Sequence, residues 1–374
     1  MRRNNQNNKL LITIVSPSAE TVSGSILRPL NIYYSLKRFR HVYVMCIPVR
    51  GSPRLFLDIP RILRSDIIIV SGVAFWSTTA LLTILAKLLR KKVIVDFHGF
   101  GWIEASTFGE PLIHKLLILI SEKISFRFSY CTLMASKWLS NTMKSFFGEK
   151  PCILAIENAV PFIFEKVASI LMKESDERKL RKYVCENILH LHPSECYKKK
   201  LIVAPLPHWF HSNVLALNML SMLEDMLGKD VLVVVTGTQN AEKIDDSILA
   251  TGYLEYVKYV TLVLSADAII LPYPSNAICG GIRNKVLEAG YAGKLVISTK
   301  YGMLFVEGAK PWVHYIPLEQ VSESKKLDEM RYMMGEQAFN LHLLMTTKYS
   351  FNSFRRKMLR FIKTIIKNHT ISNL

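Results

Sequence analysis

A pair of glycines directly before a helical pattern carries the residues best placed for chemistry. Gly280 and Gly281 follow the strand-like run AIIL, and an apolar helical pattern begins at about Ile282. Such a loop can present unpaired N–H groups and a positive helix end, which suit phosphate. Lys285 and Glu288 are three residues apart and so share one helix face. A lysine near a phosphate and a carboxylate near a ribose diol would bind a nucleoside diphosphate. The alternative is an ordinary βαβ unit with a surface Lys–Glu pair.

Two features of the first half offer related chemistry. His98 follows a strand that ends at Asp96, at the carboxyl end where open parallel sheets bind ligands. Its imidazole could orient a substrate hydroxyl or shuttle a proton, and a purely structural role is the alternative. Asp96 is expected to fix the loop, and Glu104 is a weaker candidate that helix N-terminal charge would explain. Gly24 lies in the first βα turn, just before a helix. It could face a phosphate, or it could be part of a plain turn.

Short, nearly continuous apolar runs alternate with helical patterns along the chain, which predicts doubly wound parallel α/β sheets. The strands predicted in the first half are Leu10–Val15, His41–Ile47, Asp66–Val70, Lys92–Asp96, Tyr130–Ala135 and Cys152–Ile156. Those predicted in the second half are Leu201–Pro205, Val231–Thr236, Tyr259–Thr261, Ala268–Leu271, Leu295–Ser298 and His314–Ile316. The predicted helices are Ser25–Arg38, Ser77–Leu89, Glu110–Phe128, Ser136–Phe146, Asn213–Leu227, Leu254–Val257, Ile282–Ala292 and about Lys325–Leu344.

The length of the chain suits two domains. Its 374 residues, 50% of them hydrophobic, can bury two cores. A charged, helical-looking stretch begins at Glu165. We therefore predict an N-terminal Rossmann-like domain over residues 1–164 and a C-terminal one over residues 165–349. The basic amphipathic helix within residues 350–374 is expected to pack back on the first domain. Two such sheets in series predict a cleft between the domains.

The segment Leu271–Gly308 resembles the family 4-like (group 1) glycosyltransferases of the GT-B fold. Their C-terminal domain carries the pattern GG-x-x-NK-x-x-EA, followed by a small residue, a glycine, an apolar strand and a threonine. This chain matches it with Gly280, Gly281, Asn284, Lys285, Glu288, Ala289, Gly293 and Thr299. The resemblance implies an α/β protein of two Rossmann-like, doubly wound domains that face a central cleft.

The resemblance also assigns donor-binding roles in this segment. Glu288 would bind the ribose hydroxyls of a nucleotide-diphosphate sugar. The backbone of the Gly280–Gly281 loop and the start of the helix, with Asn284 among the donor-binding residues, would hold the phosphates and the sugar.

Further residues receive roles by the same similarity. Tyr253 and Leu254 would lie near the nucleobase, and Gly24 would face the donor phosphate or the acceptor. His98 corresponds to a loop that often places a histidine or an acidic group near the reacting sugar, which makes it the catalytic candidate. Asn158 matches the family's Asn-Gly segment at the domain junction, although an alanine replaces the usual glycine.

Two departures from the family pattern concern the sugar and the phosphates. Many relatives carry an acid eight positions before the ribose-binding glutamate, where this chain has Gly280. After the first strand of the C-terminal domain, an Arg and a Lys are replaced by a segment with His208 and His211. Neutralising the diphosphate would then depend on Lys285, Arg283 and the helix dipole.

The charge balance points to an anionic partner. The chain has 48 basic and 30 acidic residues, a net charge of +18. Nucleic acid is not expected, because no basic-aromatic recognition module is visible. The segment Glu110–Phe128 mixes Lys and Arg with long apolar content, as in relatives that dock on anionic membranes. A buried helix that covers the sheet is the alternative for this segment.

Cysteine spacing and hydropathy bear on the compartment. Six cysteines form no C-x-x-C pair, so neither a zinc site nor a disulfide framework is expected. No run reaches about 18 apolar residues, the length needed to span a bilayer. We expect a cytoplasmic protein that can attach peripherally to the cytoplasmic face of a membrane.

Together these features predict a hexosyltransferase-like glycosyltransferase. It would move a sugar from a nucleotide-diphosphate donor to an acceptor hydroxyl, such as a lipid-linked or cell-surface glycan precursor. No metal and no cofactor are expected beyond the donor, and the resemblance favours retention of configuration. One alternative is a nucleotide-sugar 2-epimerase-like GT-B protein, which would use several acids that the sequence does not show. The other is a non-catalytic basic protein that binds membranes or polyanions on a degenerate GT-B scaffold.

Overall fold

The computed structural model contains two β-sheets, each flanked by helices. It describes residues 10–17, 24–39, 42–49, 52–71, 76–208, 211–221, 230–239, 241–243, 248–320 and 327–371. These residues form two compact units. The first unit contains the described residues of Met1–Phe162 and Phe351–Leu374, together with Cys279–Gly281. The second unit contains the described residues of Ile163–Ile278 and Ile282–Ser350.

Six parallel strands form the sheet of the first unit. They are β1 (Leu10–Pro17), β2 (Val42–Val49), β3 (Ile67–Ser71), β4 (Lys92–Phe97), β5 (Cys131–Met134) and β6 (Ile153–Ala155). Their order in the sheet is β2-β1-β3-β4-β5-β6. The central strand β3 is buried over its whole length, which explains its continuous apolar run. All six strands predicted for the first half are present.

Helices connect these strands, as a doubly wound sheet requires. They are α1 (Gly24–Leu36), α2 (Ser52–Leu63), α3 (Trp76–Leu88), α4 (Gly101–Thr107), α5 (Leu112–Phe128) and α6 (Lys137–Phe147). Helix α2 was not predicted from the sequence. It contains Pro60 near its carboxyl end, and such a residue argues against a helix in a sequence pattern.

The second sheet has seven strands. They are β7 (Lys200–Pro205), β8 (Val231–Thr236), β9 (Ala241–Lys243), β10 (Ile248–Thr251), β11 (Ala268–Leu271), β12 (Leu295–Ser298) and β13 (Ile316–Pro317). The order is β13-β12-β11-β7-β8-β10-β9. Every pairing is parallel except that of β9 with β10 at one edge.

The helices of the second half follow the same plan. They are α7 (Phe162–Glu174), α8 (Glu177–Asn187), α9 (Pro193–Lys198), α10 (His211–Ser221), α11 (Tyr256–Ser265), α12 (Asn284–Tyr291) and α13 (Leu327–Thr347). The predicted strand Tyr259–Thr261 is wrong, because these residues lie inside α11. Their apolar run is compatible with either structure, and Thr261 Oγ1 donates to the carbonyl of Val257 one helical turn earlier.

The last helix, α14 (Phe351–Ile371), packs on α1 in the first unit. Its stripe of Phe354, Met358, Phe361 and Ile365 is buried in a core shared with β1. Within the residues that the structure describes, no helix is long and apolar enough to cross a membrane.

Each sheet has one point where the strand order reverses direction. In the first sheet it lies between β1 and β3, and in the second it lies between β7 and β11. Crevices outside the carboxyl ends of strands at such points bind ligands in open α/β sheets. The segments after β1, β7 and β11 are therefore the places to examine for a site.

Four of the six cysteines form disulfides, so the expectation of no disulfide framework is wrong. Cys131 at the start of β5 is bonded to Cys152, the residue before β6, and Cys185 of α8 is bonded to Cys196 of α9. Spacing along the sequence could not show these pairs, because each depends on how separate elements pack.

Candidate functional site

Glu288 lies on α12, the helix that follows β11 and its loop. The side chain is buried, and the hydroxyl of Tyr259 donates to its Oε2 at 2.6 Å. Burial raises the pKa of Glu288 to about 7, although the Tyr259 hydrogen bond and the charge of Lys285 act in the opposite direction. The pKa of Tyr259 is raised as well, by burial and by the nearby carboxylate. The second unit therefore holds a desolvated carboxyl group whose charge is incompletely compensated.

Lys285 lies one turn earlier on α12 and meets the two loops of the switch point. Its Nζ donates to Asn213 Oδ1 at 2.7 Å and to the Tyr273 hydroxyl at 2.9 Å. That hydroxyl also donates to Asn213 Oδ1 at 2.8 Å, and Asn213 Nδ2 donates to the carbonyl of Pro207. Tyr273 follows β11, while Pro207 follows β7. This network joins the two neighbouring strand ends and positions the ammonium group between them.

Arg283 occupies the N-cap of α12, and the helix begins at Asn284. No side chain caps this helix start. The guanidinium carbon lies 3.5 Å from the centroid of the Tyr273 ring, and Nη2 donates to the carbonyl of Ala277. Arg283 is buried, and its Nε has no hydrogen-bond partner. The predicted phosphate-binding cations Arg283 and Lys285 thus converge on one buried tyrosine.

Tyr253 and Leu254, the predicted base-side residues, follow β10. Gly252 adopts a positive φ of 67°, and its carbonyl accepts from the N–H of Gly237 after β8. Tyr253 is half exposed, and its hydroxyl lies 3.4 Å from Nδ1 of His208. Leu254 is partly buried. The strand ends of β7, β8 and β10 therefore present an aromatic pair of Tyr253 and His208.

In the first unit, His98 lies just past the end of β4 against a buried ion pair. Its Nε2 lies 3.0 Å from Asp96 Oδ2 and 3.0 Å from Ser71 Oγ. Arg28 binds both carboxylate oxygens of Asp96 at 2.8–3.0 Å, and Ser71 Oγ donates to Oδ2 at 2.6 Å. Burial alone would raise the pKa of Asp96, but Arg28 and His98 outweigh it and hold the pKa well below its usual range. Asp96 is therefore an anion that fixes the orientation of the His98 ring.

Gly24 begins α1, one turn before Arg28, and residues 18–23 lie outside the described residues. Arg28 also donates to the carbonyl of Ile156 and to Asn158 Oδ1. The Asn158 segment, selected from the sequence by resemblance, thus supports the arginine that neutralises Asp96.

The two loop glycines pack against backbone of the first unit. A Cβ on Gly280 would overlap Gly99 Cα and approach the His98 carbonyl oxygen to 2.6 Å, and one on Gly281 would come within 2.8 Å of Ala135 Cβ. The Gly280 carbonyl accepts a hydrogen bond of 2.7 Å from Ser136 Oγ. The sequence anticipated a close backbone approach here, and the partner in this structure is the protein itself. An acidic side chain at position 280 has no room, which explains its absence.

Several residues of these clusters were not selected from the sequence: Arg28, Ser71, Asn213, Tyr259 and Tyr273. Tyr273 lies in the segment Leu271–Gly308 that carries the resemblance, and Asn213 lies two residues after His211 in the segment that follows β7. Tyr259 was missed because its segment was predicted as a strand. Arg28 carries no signal beyond its place in the first helix.

The sequence matches no protein-family model and no curated protein. Solved structures are similar over nearly the whole chain. HepE from Anabaena in complex with UDP-glucose is 11% identical, with 95% of this chain and 100% of that chain covered and a TM-score of 0.66. Sucrose-phosphate synthase from Thermosynechococcus elongatus is 10% identical, with coverage of 96% and 100% and a TM-score of 0.68. UDP-GlcNAc 2-epimerase from Neisseria meningitidis bound to UDP-GlcNAc is 11% identical, with coverage of 96% and 100% and a TM-score of 0.54.

The similarity to these structures covers both units and both sheets. Sequence identities this low show the fold alone. The chain therefore has the GT-B glycosyltransferase fold, two Rossmann-like α/β units, as the sequence predicted.

Proposed function

We propose that this chain is a glycosyltransferase whose second unit binds a nucleotide-diphosphate sugar. The observation that carries the proposal is the buried Glu288 carboxyl group beside Lys285, on the helix after the switch-point strand. A ribose diol would supply two hydroxyl donors to this carboxylate. Such hydrogen bonds favour the charged form and would lower its raised pKa. The group is thus better suited to a bound ligand than to the empty protein.

The other donor contacts follow from the surrounding residues. Lys285 and Arg283 would neutralise the diphosphate, and the aromatic pair of Tyr253 and His208 would face the nucleobase. The burial of Arg283 places its charge in a low dielectric, where attraction to a phosphate is stronger than in water.

The first unit would bind the acceptor. The acceptor oxygen forms a bond to the anomeric carbon while the bond from that carbon to the diphosphate oxygen breaks. We favour retention without a metal, in which the departing phosphate oxygen accepts the hydroxyl proton. His98 then orients the acceptor, with Asp96 fixing its ring through Nε2. A lipid-linked or cell-surface glycan precursor is the acceptor class that we propose.

Two other functions are distinguished from glycosyl transfer by the products that the screen described below would detect. The similarity to a UDP-GlcNAc 2-epimerase favours epimerisation as the second candidate. That reaction would convert the nucleotide sugar without releasing a nucleoside diphosphate and without an acceptor. A non-catalytic protein on the same scaffold would give neither product.

The direct test is a screen of UDP-, GDP- and ADP-sugars by thermal shift, with product analysis by NMR. We expect stabilisation by one nucleotide and release of its diphosphate. Glu288→Ala should weaken nucleotide binding by about 100-fold, because two hydrogen bonds to a charged group are lost. The control is Glu336→Ala, which removes an exposed carboxylate from α13 of the same unit. Equal binding by the Glu288→Ala variant and the wild type would refute the ribose assignment, and no response to any nucleotide would refute the function.

Protonation of Glu288 gives a second readout. Because the pKa in the free protein is about 7, nucleotide affinity should fall by up to about tenfold per pH unit below pH 7. Calorimetric titrations at pH 8, 7 and 6 would measure this slope. A flat profile would show that the carboxylate takes no part in binding.

A further inference from the structure

Helix α5 carries large apolar side chains on its exposed face as well as on its buried one. Its buried residues are Ile118, Ser121, Glu122, Ser125 and Phe126. The exposed positions form a stripe of five large aliphatic residues at helical spacing: Leu112, Ile113, Leu116, Leu117 and Ile120, each 39–67% exposed. A surface helix of a protein surrounded by water carries mainly polar side chains on its exposed face. This stripe needs an apolar partner.

Glu122, the buried acid of the inner face, has a structural role. Glu122 accepts hydrogen bonds from the backbone N–H groups of Gly101 and Trp102 at 2.7 and 3.2 Å. It therefore holds the start of α4, the short helix after His98. These contacts fix the face of α5 that carries Glu122 toward the interior, and the aliphatic stripe lies outside.

The neighbouring helix α3 extends the apolar surface. It packs against α5, and Leu81, Ile84 and Leu88 are 36–73% exposed. Lys87 Nζ lies 4.4 Å from the centroid of the Phe128 ring, so the carboxyl ends of the two helices meet. Contiguous apolar surface of this kind marks an interaction site.

Basic residues outnumber acidic ones around this surface, and the one acid just before α5, Glu110, pairs with His114 at 2.9 Å. Residues 76–92 and 112–130 contain a single acidic residue, Glu122, and it is buried. Exposed Arg90, Lys123 and Arg127 accompany Lys87 on these segments. Nearby Lys150 has its pKa lowered to about 8, first by burial and then by the charges of Lys87 and Arg127. Positive charge is thus concentrated beside the stripe without exposed acids on either segment.

We propose that the outer faces of α3 and α5 bind an anionic lipid bilayer. Aliphatic side chains would enter the boundary between headgroups and acyl chains, while the basic residues would contact the headgroups. A second copy of this chain is a poorer partner. A symmetric interface brings the same patch together from both copies and would oppose like charges. The surface is independent of the donor site, so either proposal can fail alone.

The test is co-sedimentation of the full chain with phosphatidylcholine vesicles that contain or lack the anionic lipid phosphatidylglycerol, at about 30 mol%. We expect binding to the anionic vesicles only, and less of it at high salt. Ile113→Gln/Leu117→Gln should weaken binding by about tenfold or more, because apolar burial is lost. Lys123→Gln/Arg127→Gln should weaken it by roughly 30-fold.

Matched variants on the second unit serve as controls. Phe339→Gln/Leu343→Gln alters exposed apolar residues of α13, and Arg178→Gln/Lys179→Gln removes two exposed charges from α8. Both should bind vesicles like the wild type. Equal binding by the stripe variant and its control would overturn the proposal. A dimer in analytical ultracentrifugation that the stripe variant dissociates would also overturn it, in favour of a second copy. Because the altered side chains are exposed, all variants should fold, and circular dichroism verifies this.

Discussion

Two buried carboxyl groups, Asp96 in the first unit and Glu288 in the second, lie in opposite electrostatic environments. Asp96 receives two arms of the Arg28 guanidinium, the Ser71 hydroxyl and His98, and its pKa is lowered. Glu288 receives the hydroxyl of Tyr259, and its pKa is raised to about 7. Both groups are desolvated, so the difference lies in their partners.

The difference separates a structural carboxylate from one suited to a ligand. A buried anion with a bidentate arginine is satisfied in the folded protein and has little to gain from a substrate. A buried carboxyl group with raised pKa destabilises its own ionised form, and a ligand that donates hydrogen bonds can recover that free energy. The contrast supports the proposed roles, in which the Asp96 cluster holds His98 and Glu288 contacts the ligand directly.

Among the substitutions that test this comparison, removal of Arg28 should have the largest effect on stability. In Arg28→Met, Asp96 remains buried without its cation, so we expect the free energy of unfolding to fall by about 3–5 kcal/mol at pH 7. Urea denaturation followed by circular dichroism would measure it. The exposed Arg61 of α2 gives the control Arg61→Met, which should change stability by less than about 0.5 kcal/mol.

A second substitution shows whether the unpaired charge is the cause. Adding Asp96→Asn to Arg28→Met removes the buried charge and should restore at least about 1 kcal/mol. A double variant as unstable as Arg28→Met would instead attribute the loss to the contacts that Arg28 makes with Ile156 and Asn158.

Neutralising Glu288 should raise the free energy of unfolding, whereas removing Arg28 should lower it. Its folded pKa of about 7 exceeds the ordinary value of 4.5, so the folded state binds the proton more tightly than the unfolded state. Stability from this group is therefore complete below about pH 4.5 and is lost as the pH rises to about 7. Glu288→Gln should raise the free energy of unfolding by up to about 3 kcal/mol at pH 8 and change it little at pH 4.

This gain should accompany a loss of nucleotide binding. Glu122, whose pKa is raised to about 8 mainly by burial, gives the wild type a similar pH trend. Comparing Glu288→Gln with the wild type at each pH cancels that contribution. If the variant is less stable than the wild type at pH 8, the Glu288 carboxylate is satisfied in the free protein and the contrast with Asp96 fails.

The fold was predictable from the sequence because buried parallel strands leave continuous apolar runs. The βα order of both units follows from such runs, and the errors occur where the pattern is ambiguous, as at Tyr259–Thr261, which is helical. The motif with Lys285 and Glu288 was recognisable from the sequence because both residues belong to one helix. The partners Arg28, Asn213 and Tyr273 come from separate segments, and only the folded sheets bring them to Asp96 and Lys285.

A substitution at Gly280 tests the packing beside His98 in the first unit, and its expected effect on stability is smaller. A methyl group at this position would press on the backbone of His98 and Gly99, which cannot move as a flexible side chain can. We expect Gly280→Ala to lower the free energy of unfolding by about 1–3 kcal/mol through overpacking. The matched control is Gly335→Ala in α13, where a Cβ meets no atom within 4 Å and should stabilise the helix by about 1 kcal/mol. If Gly280→Ala is as stable as the wild type, packing does not explain the missing acid. Gly280→Asp would then be expected to fold, and its nucleotide-sugar binding could be measured directly.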